Sequence, residues 1–177
     1  FGRHVPEDES SRSKWLISKF IEESENMVDL RIFGVFGRYE EYAIRFISNA
    51  ICKAIFDLPI TLKQNRRFDY LDISDLLPIV QYFIGNDPAY KAYNVTPTAS
   101  FELYELAKKV REISKKNLPI KVAAEGMGLE YSGDNGRLKN EMKELKFTDI
   151  DVSIKRLYAW YLENKGSISK ELLLVDY

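Results

Sequence analysis

The chain has 177 residues and a mass of 20.6 kDa, enough for one domain with a real core and too little for two ordinary ones. An apolar share of 45% against 30% charged places it among globular proteins, and 26 Lys and Arg against 27 Asp and Glu give no net field to draw nucleic acid or anionic lipid. A single Cys, Cys52, and a single His, His4, exclude an internal disulfide and a structural zinc cluster. No apolar run approaches the roughly 20 residues that span a bilayer, and the N-terminal stretch FGRHVPEDES is polar rather than signal-like, so the expectation is a cytoplasmic protein without a membrane or nucleic-acid partner. The first residue is Phe and helical patterning starts within about a dozen residues, so the chain is expected to begin in the middle of something.

In chain order, Pro6-Glu7-Asp8-Glu9 leads to Ser10 and Ser11, which occupy cap positions before a helix that carries Trp15, Leu16, Phe20 and Ile21 on one stripe and ends near Glu23. Val28 to Phe33 is short, apolar and β-branched, and reads as a buried strand running into the loop Gly34-Val35-Phe36-Gly37. From Tyr42 the positions Ala43, Phe46, Ile47, Ala50, Ile51, Ala54 and Ile55 repeat with helical period up to Pro59. Ile60 to Leu62 and Phe68 to Ile73 read as strands. Asp75 is the expected cap of a helix through Ile84 with Pro78 in its first turn. Tyr93-Asn94-Val95 is strand-like, Ser100 to Ser114 helical, and Ile120 to Ala123 strand-like again. Thr148-Asp149-Ile150-Asp151 resembles a capping box before a helix carrying Ile154, Leu157, Tyr158 and Tyr161, and the tail from Gly166 is weakly determined. The alternation of strands and helices predicts an α/β architecture.

No dinucleotide fingerprint and no P-loop occurs in the chain, and the scattered carboxylates lack the spacing of a paired acid and base. Gly34 to Gly37 follows a strand end, where open α/β sheets bind ligands. Arg66 and Arg67 put two guanidinium groups at a strand start, suited to a phosphate or carboxylate. Lys14 and Lys19 sit on the first helix, where a lysine can hold cofactor hydroxyls, although exposed lysines are ordinarily just solvated. The stretch SGDNGR, with Asp134 and Arg137, suits a turn, and Cys52 suits core packing rather than nucleophilic chemistry.

Taken in order, SRSKWLISKFIE, VDLRIFGVFG, the apolar helix to DLPITL, FDYLDISDL, YNV, SGDNGRL and the KFTDID helix with Trp160 resemble the C-terminal half of extended short-chain dehydrogenase/reductases, the NAD-dependent epimerase/dehydratase family. The resemblance implies a Rossmann-like α/β fold without its N-terminal dinucleotide-binding half, with residues 1–164 as the substrate-binding part and 165–177 as a tail. It implies NAD or NADP in the intact family, with Lys14, Phe33, Gly34 and Phe36 on the cofactor side, and no cofactor bound by this chain alone. On the substrate side it implies Arg67, Asp69 and Asp134, with a nucleotide sugar or related metabolite as ligand.

The family's catalytic Tyr-x-x-x-Lys pair maps onto Ser10 and Lys14, so the phenol is replaced by a far less acidic hydroxyl. Loss of a general acid/base group typically removes about 10²–10⁴-fold in rate. The two arginines that grip the diphosphate in the family are displaced: Phe68 precedes Asp69-Tyr70, and Tyr131 stands three residues before Asp134. Gly34 stands where many members carry an Asn against the sugar. Two readings follow: the substrate-binding portion of a nucleotide-sugar epimerase, dehydratase or reductase, inactive as this chain alone, or a truncated non-enzymatic paralogue that binds a metabolite or a subunit. In either, the helices at Ser11 and Tyr42 are left with apolar faces that absent strands would cover, which predicts a homo-oligomer or a Rossmann half as partner.

Overall fold

The computed structural model describes residues 5–175, so the expectation for His4 lies outside the described residues. Among the described residues six α-helices and eight strands are interspersed: α1 (Glu9–Glu23), β1 (Asp29–Ile32), β2 (Val35–Phe36), α2 (Phe46–Ile55), β3 (Ile60–Asn65), β4 (Arg67–Phe68), β5 (Leu71–Asp72), α3 (Ile73–Gly85), β6 (Ala92–Val95), β7 (Phe101–Glu102), α4 (Leu103–Ser114), β8 (Ile120–Met127), α5 (Gly136–Glu141) and α6 (Ile150–Glu163). The strands form four two-stranded pairs, β1 with β6, β2 with β5 and β3 with β8 in parallel, and β4 with β7 antiparallel. Parallel pairs need a long crossover between their strands, and helices supply it here.

Helix α2 is the centre of the larger core. Ile47, Ala50, Ile51, Cys52, Ala54 and Ile55 are buried against α4, α6 and β3, with Leu106, Ala107, Val110, Ile154 and Leu157 opposite. A helix apolar on nearly every side must be buried on nearly every side. This corrects the expectation that the Tyr42 helix is left with an uncovered face; α4 and α6 cover it. Lys116 Nζ closes the end of α2 on the carbonyls of Ala54 (2.7 Å) and Ile55 (3.2 Å), satisfying two acceptors that the helix itself leaves open. Ile168 and Leu173 also pack into this core, so the segment after Asn164 contributes to it. A second core joins Leu71, Leu76, Ile79, Tyr93, Val95 and Leu138, between β1, β6, α3 and α5.

Helix α1 differs. Its Ser18 bonds Asp29 (2.6 Å) and accepts from Arg31 (2.8 Å), which fixes one side of the helix to β1. On its other side Leu16, Ile17 and Phe20 are more than half exposed.

Three local expectations are corrected. The run from Phe68 to Ile73 is not one strand: β4 pairs with β7 and β5 with β2, and the buried side chain of Asp69 turns away between them to accept the Gly133 N–H at 2.8 Å. The cap of α3 is Asp72, which accepts the Ser74 N–H at 2.9 Å, so the helix starts earlier and Pro78 lies in its second turn. Asp75 instead accepts from Thr148, leaving Asp149 to cap α6 through the N–H groups of Asp151 and Val152.

Candidate functional site

In a parallel pair, side chains two residues apart share a face. The register Thr61↔Lys121 therefore sets Thr61 and Lys63 of β3 on the same side as Lys121 and Ala123 of β8. That side is the floor of a cavity of about 710 Å³, walled by Ala43, Ile44, Phe46 and Asn49 near α2 and by Arg66, Phe68 and Leu103 at the other end. Lys53 of α2, itself 3% exposed, reaches the floor and donates to Thr61 Oγ1. Four cationic side chains, Lys53, Lys63, Arg66 and Lys121, line the cavity, and among the described residues no carboxylate does. Clustered cations beside an apolar wall suit an anion, because a cation's hydrogen bond to an anion is charge-assisted.

The arginine pair separates. Adjacent residues on a strand point to opposite faces. Arg66 enters the cavity. Arg67 instead donates to Ser100 Oγ (3.1 Å) and Ser100 O (3.0 Å) and lies 3.8 Å from Glu102. The structure thus sets Arg67 to holding β4 against β7, and Arg66 takes the cavity-facing position.

Next to the cavity, Phe68 stacks on Tyr70 (4.9 Å) and packs against Tyr131 (5.0 Å), which packs in turn on Phe33 (5.1 Å). Asp69 lies beneath this ring cluster, 2% exposed, and burial is the main reason its carboxyl is pushed above the usual carboxylate range. It orders the loop through Gly133 rather than facing a ligand. Asp134 likewise serves its loop: its Oδ1 accepts the Gly136 N–H at 3.0 Å, and its carbonyl accepts from Asn94 at 2.8 Å.

The residues expected on the cofactor side lie apart from the cavity. Phe36 is 2% exposed within the larger core. Gly34 is packed so closely that a Cβ there would lie 2.5 Å from the Asp69 carbonyl oxygen and 2.6 Å from the Phe68 ring. Ser10 and Lys14 sit one turn apart on an exposed part of α1, with Lys14 Nζ 3.5 Å from Ser10 Oγ. None of Ser10, Lys14, Phe33, Gly34 or Phe36 lines the cavity. Cys52 is inert: burial above all pushes its thiol up to about 12.

Lys53, Lys63 and Lys121 were not singled out by sequence. The signal available was the alternation Thr61/Lys63 and Lys121/Ala123 on two strand-like runs, which becomes informative only once the runs are known to pair.

No family model and no curated protein matches the sequence. Solved structures do match. The dTDP-glucose 4,6-dehydratase of Bacillus anthracis in complex with NAD aligns with a TM-score of 0.79 at 15% identity, over 97% of this chain and 58% of that one. The UDP-glucose 4-epimerase of Thermotoga maritima with UDP-glucose gives 0.70 at 12% identity, over 88% and 53%, and the UDP-glucuronic acid 4-epimerase of Bacillus cereus gives 0.69 at 14%, over 87% and 51%. The fold is that of an extended short-chain dehydrogenase/reductase. The chain spans a little over half the length of these structures. In the extended short-chain dehydrogenase/reductase fold seen here, the cavity lies at the β3·β8 pair and α2, away from the Ser10 and Lys14 turn of α1. No helix among the described residues is long and apolar enough to cross a membrane.

Proposed function

We propose that this chain is the nucleotide-sugar-binding part of an NAD(P)-dependent epimerase, dehydratase or reductase, and that the cavity takes the nucleoside diphosphate. The observation that carries the reading is the meeting of Lys63, Arg66 and Lys121, with Lys53 reaching in from α2, around one cavity that no carboxylate lines among the described residues. A diphosphate diester carries two negative charges, and the strand face offers Lys63 and Lys121 to them with Arg66 at the end. Ala43, Ile44, Phe46 and Val122 supply apolar wall for the nucleoside. The chain's part is to hold and orient the ligand; hydride transfer belongs to a dinucleotide that these residues do not bind. The exposed stripe of Leu16, Ile17 and Phe20 supports contact with a partner, a Rossmann half or a second copy.

Calorimetric titration with UDP, GDP, dTDP and NAD tests this. Saturable binding of at least one nucleoside diphosphate, weakening with added salt, and no saturable binding of NAD is the expected result. Saturable NAD binding overturns the division of labour, and silence towards all three diphosphates overturns the cavity assignment.

Ser10 favours a second, non-enzymatic reading, since a serine hydroxyl stands beside Lys14 where the resemblance places a phenol. Under that reading the Ser10→Tyr variant, supplied with a Rossmann half in trans, gives no turnover of any sugar nucleotide; restored turnover sinks it.

A further inference from the structure

Strand β8 is open to solvent along nearly its whole length. From Lys121 to Met127 every residue is exposed, and among the described residues β3 is its one strand partner. The Ile60 N–H donates to the Pro119 carbonyl at 3.0 Å, which sets the phase of this parallel pair. By the alternation of a parallel ladder, Lys121 and Ala123 bond back to β3, and the N–H and C=O groups of Val122 and Ala124 point away from it. Neither Val122 nor Ala124 makes a backbone hydrogen bond to any other element among the described residues. Such an edge is a template for a further strand.

The edge carries two charges of opposite sign, four residues apart. Lys121 and Glu125 are both exposed, and neither side chain makes a hydrogen bond or an ion pair among the described residues. A lysine on an edge discourages pairing with an arbitrary strand, and the bulge at Glu125 and Gly126, between the pairs Gln64↔Ala124 and Asn65↔Met127, brings regular pairing to an end. A second copy of the same edge answers the lysine. When a strand meets its own copy antiparallel about a two-fold axis, the residue on the axis faces itself and those on either side face each other. An axis at Ala123 sets Lys121 opposite Glu125 and joins the outward-pointing Val122 and Ala124 as a hydrogen-bonded pair, with only methyl groups on the axis. An axis at Val122 or Ala124 sets Lys121 against Ala123 or Met127, and one at Lys121 sets like charges together.

We infer that the free edge of β8 is a dimerisation surface whose partner is a second copy of this chain, paired antiparallel about Ala123 with Lys121 of each copy against Glu125 of the other. Both copies use the same edge, so the contact closes at two. Of the cavity cations it draws on Lys121 alone and leaves Lys53, Lys63 and Arg66 in place. The inference is independent of the nucleotide reading, and it uses a different element from the exposed stripe of α1.

Sedimentation equilibrium without nucleotide, from micromolar to millimolar protein, tests it. The parent's mass rises from 20.6 kDa towards twice that value. Lys121→Glu and Glu125→Lys each set like charges opposite one another and weaken association at least about tenfold. An equimolar mixture of the two variants sets opposite charges together again and regains the parent's association, which also shows that both variants are folded. Ala124→Pro removes an outward donor that β3 does not use and leaves a monomer with the parent's circular dichroism. A parent mass of 20.6 kDa at every concentration overturns the inference. So does association indifferent to both charge reversals, as a contact through α1 would be, and so do variants that stay apart when mixed.

Discussion

Asp75 accepts two hydrogen bonds from Thr148, one from its N–H at 2.8 Å and one from its hydroxyl at 2.6 Å. The pair ties α3 to the entry of α6, across a sequence gap that includes β6, α4, β8 and α5. A half-buried carboxylate that loses a donor keeps its desolvation cost. Thr148→Val is expected to lower the unfolding free energy by about 1–3 kcal/mol and Thr148→Ser to restore most of it, read as midpoint shifts in urea.

The cavity lysines should act on affinity rather than on the fold, because Lys63 and Lys121 are exposed and make no ion pair among the described residues. Lys63→Gln and Lys121→Gln are each expected to weaken nucleoside diphosphate binding about tenfold and to flatten its dependence on salt. Arg66→Gln should behave likewise. Arg67→Gln should leave affinity unchanged, since its guanidinium is occupied at Ser100.

Gly34 has no room for any side chain. Its would-be Cβ meets a backbone oxygen at 2.5 Å as well as the Phe68 ring, and a carbonyl cannot swing aside as a flexible side chain can. Gly34→Ala is expected to cost about 1–3 kcal/mol, and Gly34→Asn at least as much, measured by thermal or urea unfolding. An asparagine at this position therefore needs a different placement of Asp69 and Phe68.

Glu40 sets a pH dependence. Burial, its leading influence, raises its carboxyl above the ordinary 4.5 despite hydrogen bonds from Ser48 and the Gly37 backbone. The folded state thus binds this proton more strongly than the unfolded chain, so stability falls as pH rises from about 4.5 through the raised folded value and stays lower above it. Glu40→Gln removes the charge and keeps an acceptor for Ser48. Its melting temperature is expected to exceed the parent's by roughly 2–4 °C at pH 8 and to converge with it in acid. A parent protein that grows more stable between pH 5 and 8 relative to the variant contradicts this assignment.

Helix α2 was legible because its period alone demanded burial, and the strand before Gly34 because a short β-branched run has few other uses. The start of α3 was not: Asp72 and Asp75 are equally good caps in isolation, and the choice falls to Asp72 because Arg156 from α6 bonds its carboxylate at 2.6 Å while Thr148 takes Asp75. Arg67 was preferred to Arg66 because sequence carries no absolute facing, and a shift of one residue reverses it. The cavity was hidden for a related reason. Its four cations come from α2, β3, the residue before β4, and β8, and each alone is an ordinary surface charge or a core lysine.

The parallel pairing of Ile60 with Ile120 also has a history in time. Everything between these residues, including α3 and α4, must leave the ribosome before the second strand exists, so for much of synthesis β3 waits with an open edge and its Lys63 has no floor to share with Lys121. Loop closure over that span is entropically slow, and non-local parallel pairs are formed late. Competence to bind an anion is thus absent from the nascent chain until β8 has been made and has paired with β3.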